Sequence, residues 1–357
     1  MKGTPCFCEE QGGLLPKEAQ LHTVPFHLRP DVLQYSRTFY ERKALLRPVH
    51  TMQQTASRKT VFLATLAAFV GNGIFGFSFM FSRIALRVAP PFVMLMYRFV
   101  IAFLVLNVVA LVAKKQKRTD WLRFDIHWRS AGKLVLLGLV QPVLYFLCES
   151  YGIDMTNATV SGVIIALIPI VALAAGAAFM GEKPSLMQVL FSLVSIGGVV
   201  VMTLQQSAGG AIHPLGVVLL VGAVVCGAAF NIMSRKLSGN FSALERTYVM
   251  MLVAAVVFTS LAVIQSNGEP GTLAAPLKAP PFLFSMLYLS LLSSILAFLC
   301  LNYAATVLPV SKTTAFCNVT TLLSVFAGVL FLGDGITPVS IVAALVIIIG
   351  VFGVQKT

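Results

Sequence analysis

Ionisable side chains inside apolar runs are the residues of this sequence with the most chemistry to account for. Three stand out: Arg98, Glu149 and Lys312. A charge at the centre of a bilayer costs about 2.5–3.5 kcal/mol even on insertion scales, so such a residue pairs, reaches the headgroups or lines a solvated path. Arg98 lies seven residues beyond Pro91, about 10 Å into a helix that rises 1.5 Å per residue. Its plainer reading is a guanidinium snorkelling to the headgroups or holding a neighbouring carbonyl. Its sharper reading is a cavity cation that holds an anionic group of a substrate or pairs with Glu149. Glu149 is open to the same two readings. As a structural residue it is half of an ion pair or sits at the interface. As a functional one it is a carboxyl that desolvation inclines to hold a proton and an arginine inclines to release one, which suits proton coupling. Lys312 opens a later apolar run, where snorkelling to the inner surface competes with a role in meeting acidic solutes.

Uncharged polar residues join these three. Asn72, Gln141, Tyr145, Asn231, Ser293 and Asn302 all fall within apolar runs. Each alone is more often a hydrogen-bonding contact between helices than a ligand contact. Together they sketch a substrate- or proton-binding cavity. Enzymatic constellations are missing: there is no G-x-S-x-G, no H-E-x-x-H and no P-loop, and all five histidines lie outside the apolar runs. Cys6 and Cys8 form a C-x-C without a second pair. No metal site or cofactor is expected.

The elements that must position these residues follow from composition. The chain has 57% hydrophobic and only 11% charged residues, whereas a soluble domain carries about 25% charged residues. The lipid bilayer is therefore its solvent. Apolar runs of about 20 residues, the length needed to cross, fall at roughly 60–82, 91–113, 133–152, 157–180, 185–204, 214–234, 244–265, 281–304, 309–332 and 336–354. The fold class expected is all-α integral membrane with ten transmembrane helices. Of 26 Lys and Arg, nine lie in the first 59 residues and seven between Lys114 and Lys133. Basic residues concentrated in alternate loops follow the positive-inside rule and put both termini in the cytoplasm. They also remove nucleic acid as an explanation of the +13 net charge. Residues 1–57 read as a polar tail, and Met52, directly before the first apolar run, is the expected start.

An offset of 152 residues superimposes the two halves without a gap. Ser82-Arg83 matches Ser234-Arg235, Phe146-Leu147-Cys148 matches Phe298-Leu299-Cys300, Gly181-Glu182 matches Gly333-Asp334, and Gln141 matches Ser293. Two units of five spans, 58–204 and 214–354, must cross in opposite senses. Such inverted repeats place a site near mid-membrane and let one half rock against the other.

The segments YRFVIAFLVLNVVAL and NATVSGVIIALIPIVALAAGAAFMGEKPS, with Pro169 in mid-span and the Gly181-Glu182 close, resemble the drug/metabolite transporter superfamily, specifically bacterial EamA-type permeases. The resemblance covers about residues 60–354. It implies a transporter of amino acids, other small metabolites or drugs, commonly moved outward across the cytoplasmic membrane. The expectation is a secondary transporter working by alternating access on a small-molecule substrate, with proton coupling as a candidate. The competing expectations are a channel or membrane scaffold without coupled transport, and a membrane-embedded enzyme. Small-residue faces, such as Ala172–Ala178, fit packing within the chain and dimerisation alike.

Overall fold

The computed structural model describes residues 57–116, 124–126, 131–180, 185–208, 212–308, 313, 316–333 and 337–356. The tail, the Met52 start and Lys312 lie outside them. The described elements are helical: α1 (Arg58–Leu86), α2 (Pro91–Gln116), α3 (Gly132–Met155), α4 (Ala158–Ile165), α5 (Ile168–Met180), α6 (Leu186–Ala208), α7 (Pro214–Leu237), α8 (Ala243–Gln265), the short α9 (Pro270–Ala274), α10 (Pro280–Val307), α11 (Cys317–Leu332) and α12 (Pro338–Lys356).

Local sequence sets the ends. Ser57 and Asn157 cap α1 and α4, their side-chain oxygens accepting the Thr60 and Val160 amides at 3.2 and 2.8 Å. Ser242 and Glu245 form a capping box at the start of α8, which satisfies two of the amides a helix start leaves open. Pro214 and Pro280 begin α7 and α10 at the turn where a missing N–H costs nothing. Gly333 ends α11 in a left-handed conformation, φ 67°, as suits a residue without Cβ.

Among the described residues, seven helical segments are long and apolar enough to cross a membrane, and three shorter apolar ones, Leu186–Gly198, Val319–Leu332 and Pro338–Gly353, fall where three further spans were expected. This is a multi-pass membrane protein. Two expected spans differ in form. The run at 157–180 is two helices, parted at Ala166–Leu167 immediately before Pro169. The third span bends at Gln141, whose φ −146° and ψ 120° are non-helical, because Pro142 cannot donate into the helix and crowds the preceding turn.

Both third spans carry a wider, π-wound stretch, Leu139–Leu144 in α3 and Tyr288–Ala297 in α10. The offset of 152 carries 139–144 onto 291–296, inside the second stretch. Other features repeat at the same offset. Arg83 donates to the Ile153 and Asp154 carbonyls at 2.8 Å each, and Arg235 donates to the Ala305 and Thr306 carbonyls at 2.8 and 2.7 Å. Asp154 also meets Arg83 through its carboxylate at 3.9 Å. The second half therefore reproduces this arginine–carbonyl contact of the first, beyond its hydrophobic pattern.

The halves interlock. The first helix of each packs on the other half: α1 against α10 and α11, and α7 against α3, α4 and α5. Helices at equivalent places also pair, α2 with α8 and α6 with α12. In the second pair Ser195 donates to the carbonyl of Ile347, its own equivalent at the 152 offset, at 2.8 Å. Glycines permit the closest approaches. A Cβ on Gly76 of α1 would stand 2.6 Å from Leu323 Cβ of α11, and one on Gly162 of α4 would overlap Ser324. Backbones brought this close gain dispersion contacts, the main source of helix association where lipid removes the hydrophobic drive.

Candidate functional site

A cavity of about 50 Å³ lies where these elements converge, lined by Asn72 of α1, Gln141, Tyr145 and Glu149 of α3, Asn231 of α7 and Thr320 of α11 among others. Aromatic rings of Phe75, Phe79 and Phe230 complete much of the wall. Five of the residues singled out in the sequence, Asn72, Gln141, Tyr145, Glu149 and Asn231, are thus brought together from three helices of both halves.

Glu149 is the one carboxylate among the described lining residues, and no Lys, Arg or His is among them. Its residue is 4% exposed, so its charge has little water to solvate it. Tyr145, one turn earlier on α3, interacts with it side chain to side chain. Gln141 Oε1 is buried without a hydrogen-bond partner, at the residue where the bend beside Pro142 opens the helix. Buried acceptors are seldom left unmet, because each costs about 1–3 kcal/mol. The amide nitrogens of Asn72 and Asn231 are engaged within their own helices, donating to the Ala68 and Gly227 carbonyls at 2.8 Å each. Asn72 also accepts from the Thr320 hydroxyl, through its backbone oxygen at 2.8 Å and its side-chain oxygen at 3.2 Å, tying α1 to α11 across the cavity wall.

Arg98 does not line the cavity. It is fully buried on α2 with its guanidinium 4.0 Å from the centre of the Phe146 ring. Its Nε donates to Ser294 Oγ at 2.9 Å and its Nη2 to Ser293 Oγ at 2.8 Å, while Nη1 has no partner. Ser293, matched to Gln141 in the repeat, therefore serves Arg98. The only ion pair among the described residues is Arg83–Asp154, so Arg98 and Glu149 feel each other's charge without touching. Arg98 bridges α2 of the first half to the π-wound stretch of α10 in the second.

Asn302 belongs to another centre. Its amide nitrogen donates to Thr247 Oγ1 at 2.9 Å, and its side-chain oxygen accepts from Ser234 Oγ at 2.7 Å. Ser234 also bonds Arg246, a residue at the start of the apolar run 244–265 that is fully buried. Arg246 donates to Ser234 O and Oγ at 2.8 and 2.6 Å, to Asn302 O at 2.7 Å, to Thr306 Oγ1 at 2.7 Å and to Ser242 O at 3.3 Å. The signal that locates it is the capping box: Ser242-Ala-Leu-Glu245 starts the helix before Arg246 and draws the arginine inside. Thr313, Cys317 and Thr320, which also line the cavity, carried no such signal in an apolar run.

The EamA-like transporter family matches the chain twice, over residues 59–204 and 214–355. An uncharacterized transporter of Bacillus subtilis, YcxC, is 30% identical over 293 residues, 81% of this chain and 92% of its own length. A probable terminal-alkyne amino-acid exporter of Streptantibioticus cattleyicolor is 23% identical over 228 residues, 64% of this chain and 74% of its own. A solved crystal structure shares the fold at a TM-score of 0.57 and 16% identity, over 81% of this chain and 95% of the other.

Proposed function

We propose that this chain, which belongs to the EamA-like transporter family, is a secondary transporter that exports small metabolites, such as amino acids or related organic compounds, across the cytoplasmic membrane by alternating access. It crosses the membrane ten times as two inverted five-helix units, 58–204 and 214–354, with both termini in the cytoplasm. The distribution of basic residues supports that orientation, and the hydrogen bonds repeated at Arg83 and Arg235 support the two-unit reading.

The observation that carries the proposal is a largely apolar cavity, holding one buried carboxylate, whose walls come from both halves. Relative motion of the halves must change such a cavity. At about 50 Å³ it has room for about three waters, so a metabolite enters only when the walls part. Export follows the named function of the Streptantibioticus relative. Glu149 is the coupling group: it takes up a proton or a solute in each state and cannot return bare through an apolar wall without the desolvation cost of a free carboxylate.

Thermal-shift measurement of the purified protein against a metabolite panel at two pH values, in wild type and Glu149→Gln, tests the site. A bound solute raises the melting temperature. Stabilisation whose pH dependence is lost in Glu149→Gln is the expected result. Equal pH dependence in both proteins removes Glu149 from the coupling step.

A further inference from the structure

We propose, resting on the transport reading above, that the solute group seated at Glu149 is a primary ammonium, and that a carboxylate on the solute is not required for binding. Four observations converge. The single carboxylic acid of the described lining is Glu149, and no basic side chain is among those residues. The buried polar atom left without a partner in the lining is an acceptor, Gln141 Oε1. One N–H of each of the Asn72 and Asn231 amides is engaged inside its own helix. Four aromatic rings, Phe75, Phe79, Tyr145 and Phe230, line the same small volume beside the aliphatic Ile165, Ile168 and Leu301.

An ammonium offers three donors and no acceptor, which is what an unmet carbonyl and a carboxylate ask for. Aromatic faces add to this, because a cation over a ring is attracted more strongly when water is excluded. An anionic head group meets the opposite situation. It would sit beside Glu149, and the cation that could oppose it, Arg98, is outside the described lining, packed on the Phe146 ring with two of its nitrogens held by Ser293 and Ser294. Glu149 then alternates between a proton and an ammonium, so that one charge-neutral cavity is exchanged for another.

Three probes of one shape separate the possibilities: 2-phenylethylamine carries the ammonium alone, 3-phenylpropionate the carboxylate alone, and phenylalanine both. Binding is read by thermal shift and by isothermal titration on the full-length protein. The amine is expected to stabilise the wild type and to bind Glu149→Gln at least about tenfold more weakly, the scale of one lost charge-assisted hydrogen bond. Glu149→Asp, which keeps the charge, is expected to retain part of the affinity. The proposal is overturned if 3-phenylpropionate binds the wild type as well as the amine does, if the amine binds neither protein, or if it binds Glu149→Gln undiminished. Uptake in proteoliposomes keeps the two readings apart. An amine that binds without being moved leaves the ammonium site standing and defeats the transport reading. A carboxylate that is moved while the amine is not does the reverse.

Discussion

Among the described residues each half buries one arginine, and the two are treated in opposite ways. Arg246 spends its guanidinium on Ser234, Ser242, Asn302 and Thr306, on helices of its own half. Arg98 reaches across to Ser293 and Ser294 of the other half and keeps Nη1 without a partner. The repeat does not relate them, since the equivalents of Arg98 and Arg246 at the 152 offset are Met250 and Met94. A buried cation whose donors are satisfied locally fixes the helices it touches. One that links separate units by two neutral hydroxyls forms a contact that can be broken and remade at modest cost. On the alternating-access reading proposed above, the first belongs to a rigid half and the second to a joint between halves.

The largest effect is expected at the rigid centre. Arg246→Met leaves several buried acceptors unmet, each worth about 1–3 kcal/mol. The protein is expected to melt well below wild type or to lose its monodisperse elution profile in detergent. A melting temperature within a degree or two of wild type would erase the distinction between the two arginines.

Arg98→Met is expected to behave differently. Two hydroxyls lose a partner, and a side chain of similar length still packs on Phe146, so stability falls by about 1–2 kcal/mol. Transport in proteoliposomes should fall several-fold while the affinity for a bound solute stays within about twofold. Loss of affinity equal to the loss of transport would return Arg98 to the cavity as a direct solute contact.

Glu149→Gln sharpens the same contrast from the side of the cavity. The amide keeps the shape and removes the charge, so the melting temperature should stay near wild type while the pH dependence of solute binding flattens. The sign is set by competition: with Glu149 present, solute affinity falls as pH drops and the carboxyl takes up its proton, and the variant should lose that fall.

Two smaller tests address the framework. Gly76→Val drives a branched side chain into Leu323 and Thr320, and overpacking of this kind costs about 1–3 kcal/mol. Arg83→Ala and Arg235→Ala should each cost less than about 1 kcal/mol, because both side chains are partly exposed. If the repeat is structural, the two costs should agree with one another in melting experiments.

Much of this was legible in the sequence, for identifiable reasons. The 152-residue register matched Arg83 with Arg235, and the two bond equivalent carbonyls. Asn72, Gln141, Tyr145, Glu149 and Asn231 were legible because a polar group in an apolar run is conspicuous. Arg98 was equally conspicuous, but its depth along α2 says nothing of which way it faces. In a helix apolar on every side, no polar stripe marks the cavity, so the sequence could not place Arg98 on the Phe146 ring instead of beside Glu149. Arg246 was hidden by proximity to a loop, where charge counting assigns every arginine to water. The break at Ala166–Leu167 was signalled only by Pro169, and the aromatic wall by nothing, since Phe75, Phe79 and Phe230 read as ordinary lipid-facing or core residues.

The central claim is that the cavity between the halves opens alternately to the two sides of the membrane. Cys317, a native residue of its wall, reports on this directly in a variant whose other five cysteines are replaced. Its reaction with a membrane-impermeant maleimide is measured with reagent on one side of oriented vesicles and then on the other, with and without a pH gradient. Alternating access predicts labelling from both sides, with the rate on one falling as the rate on the other rises when the gradient is imposed. Labelling from a single side under every condition, or from both sides with rates that rise together, would contradict it.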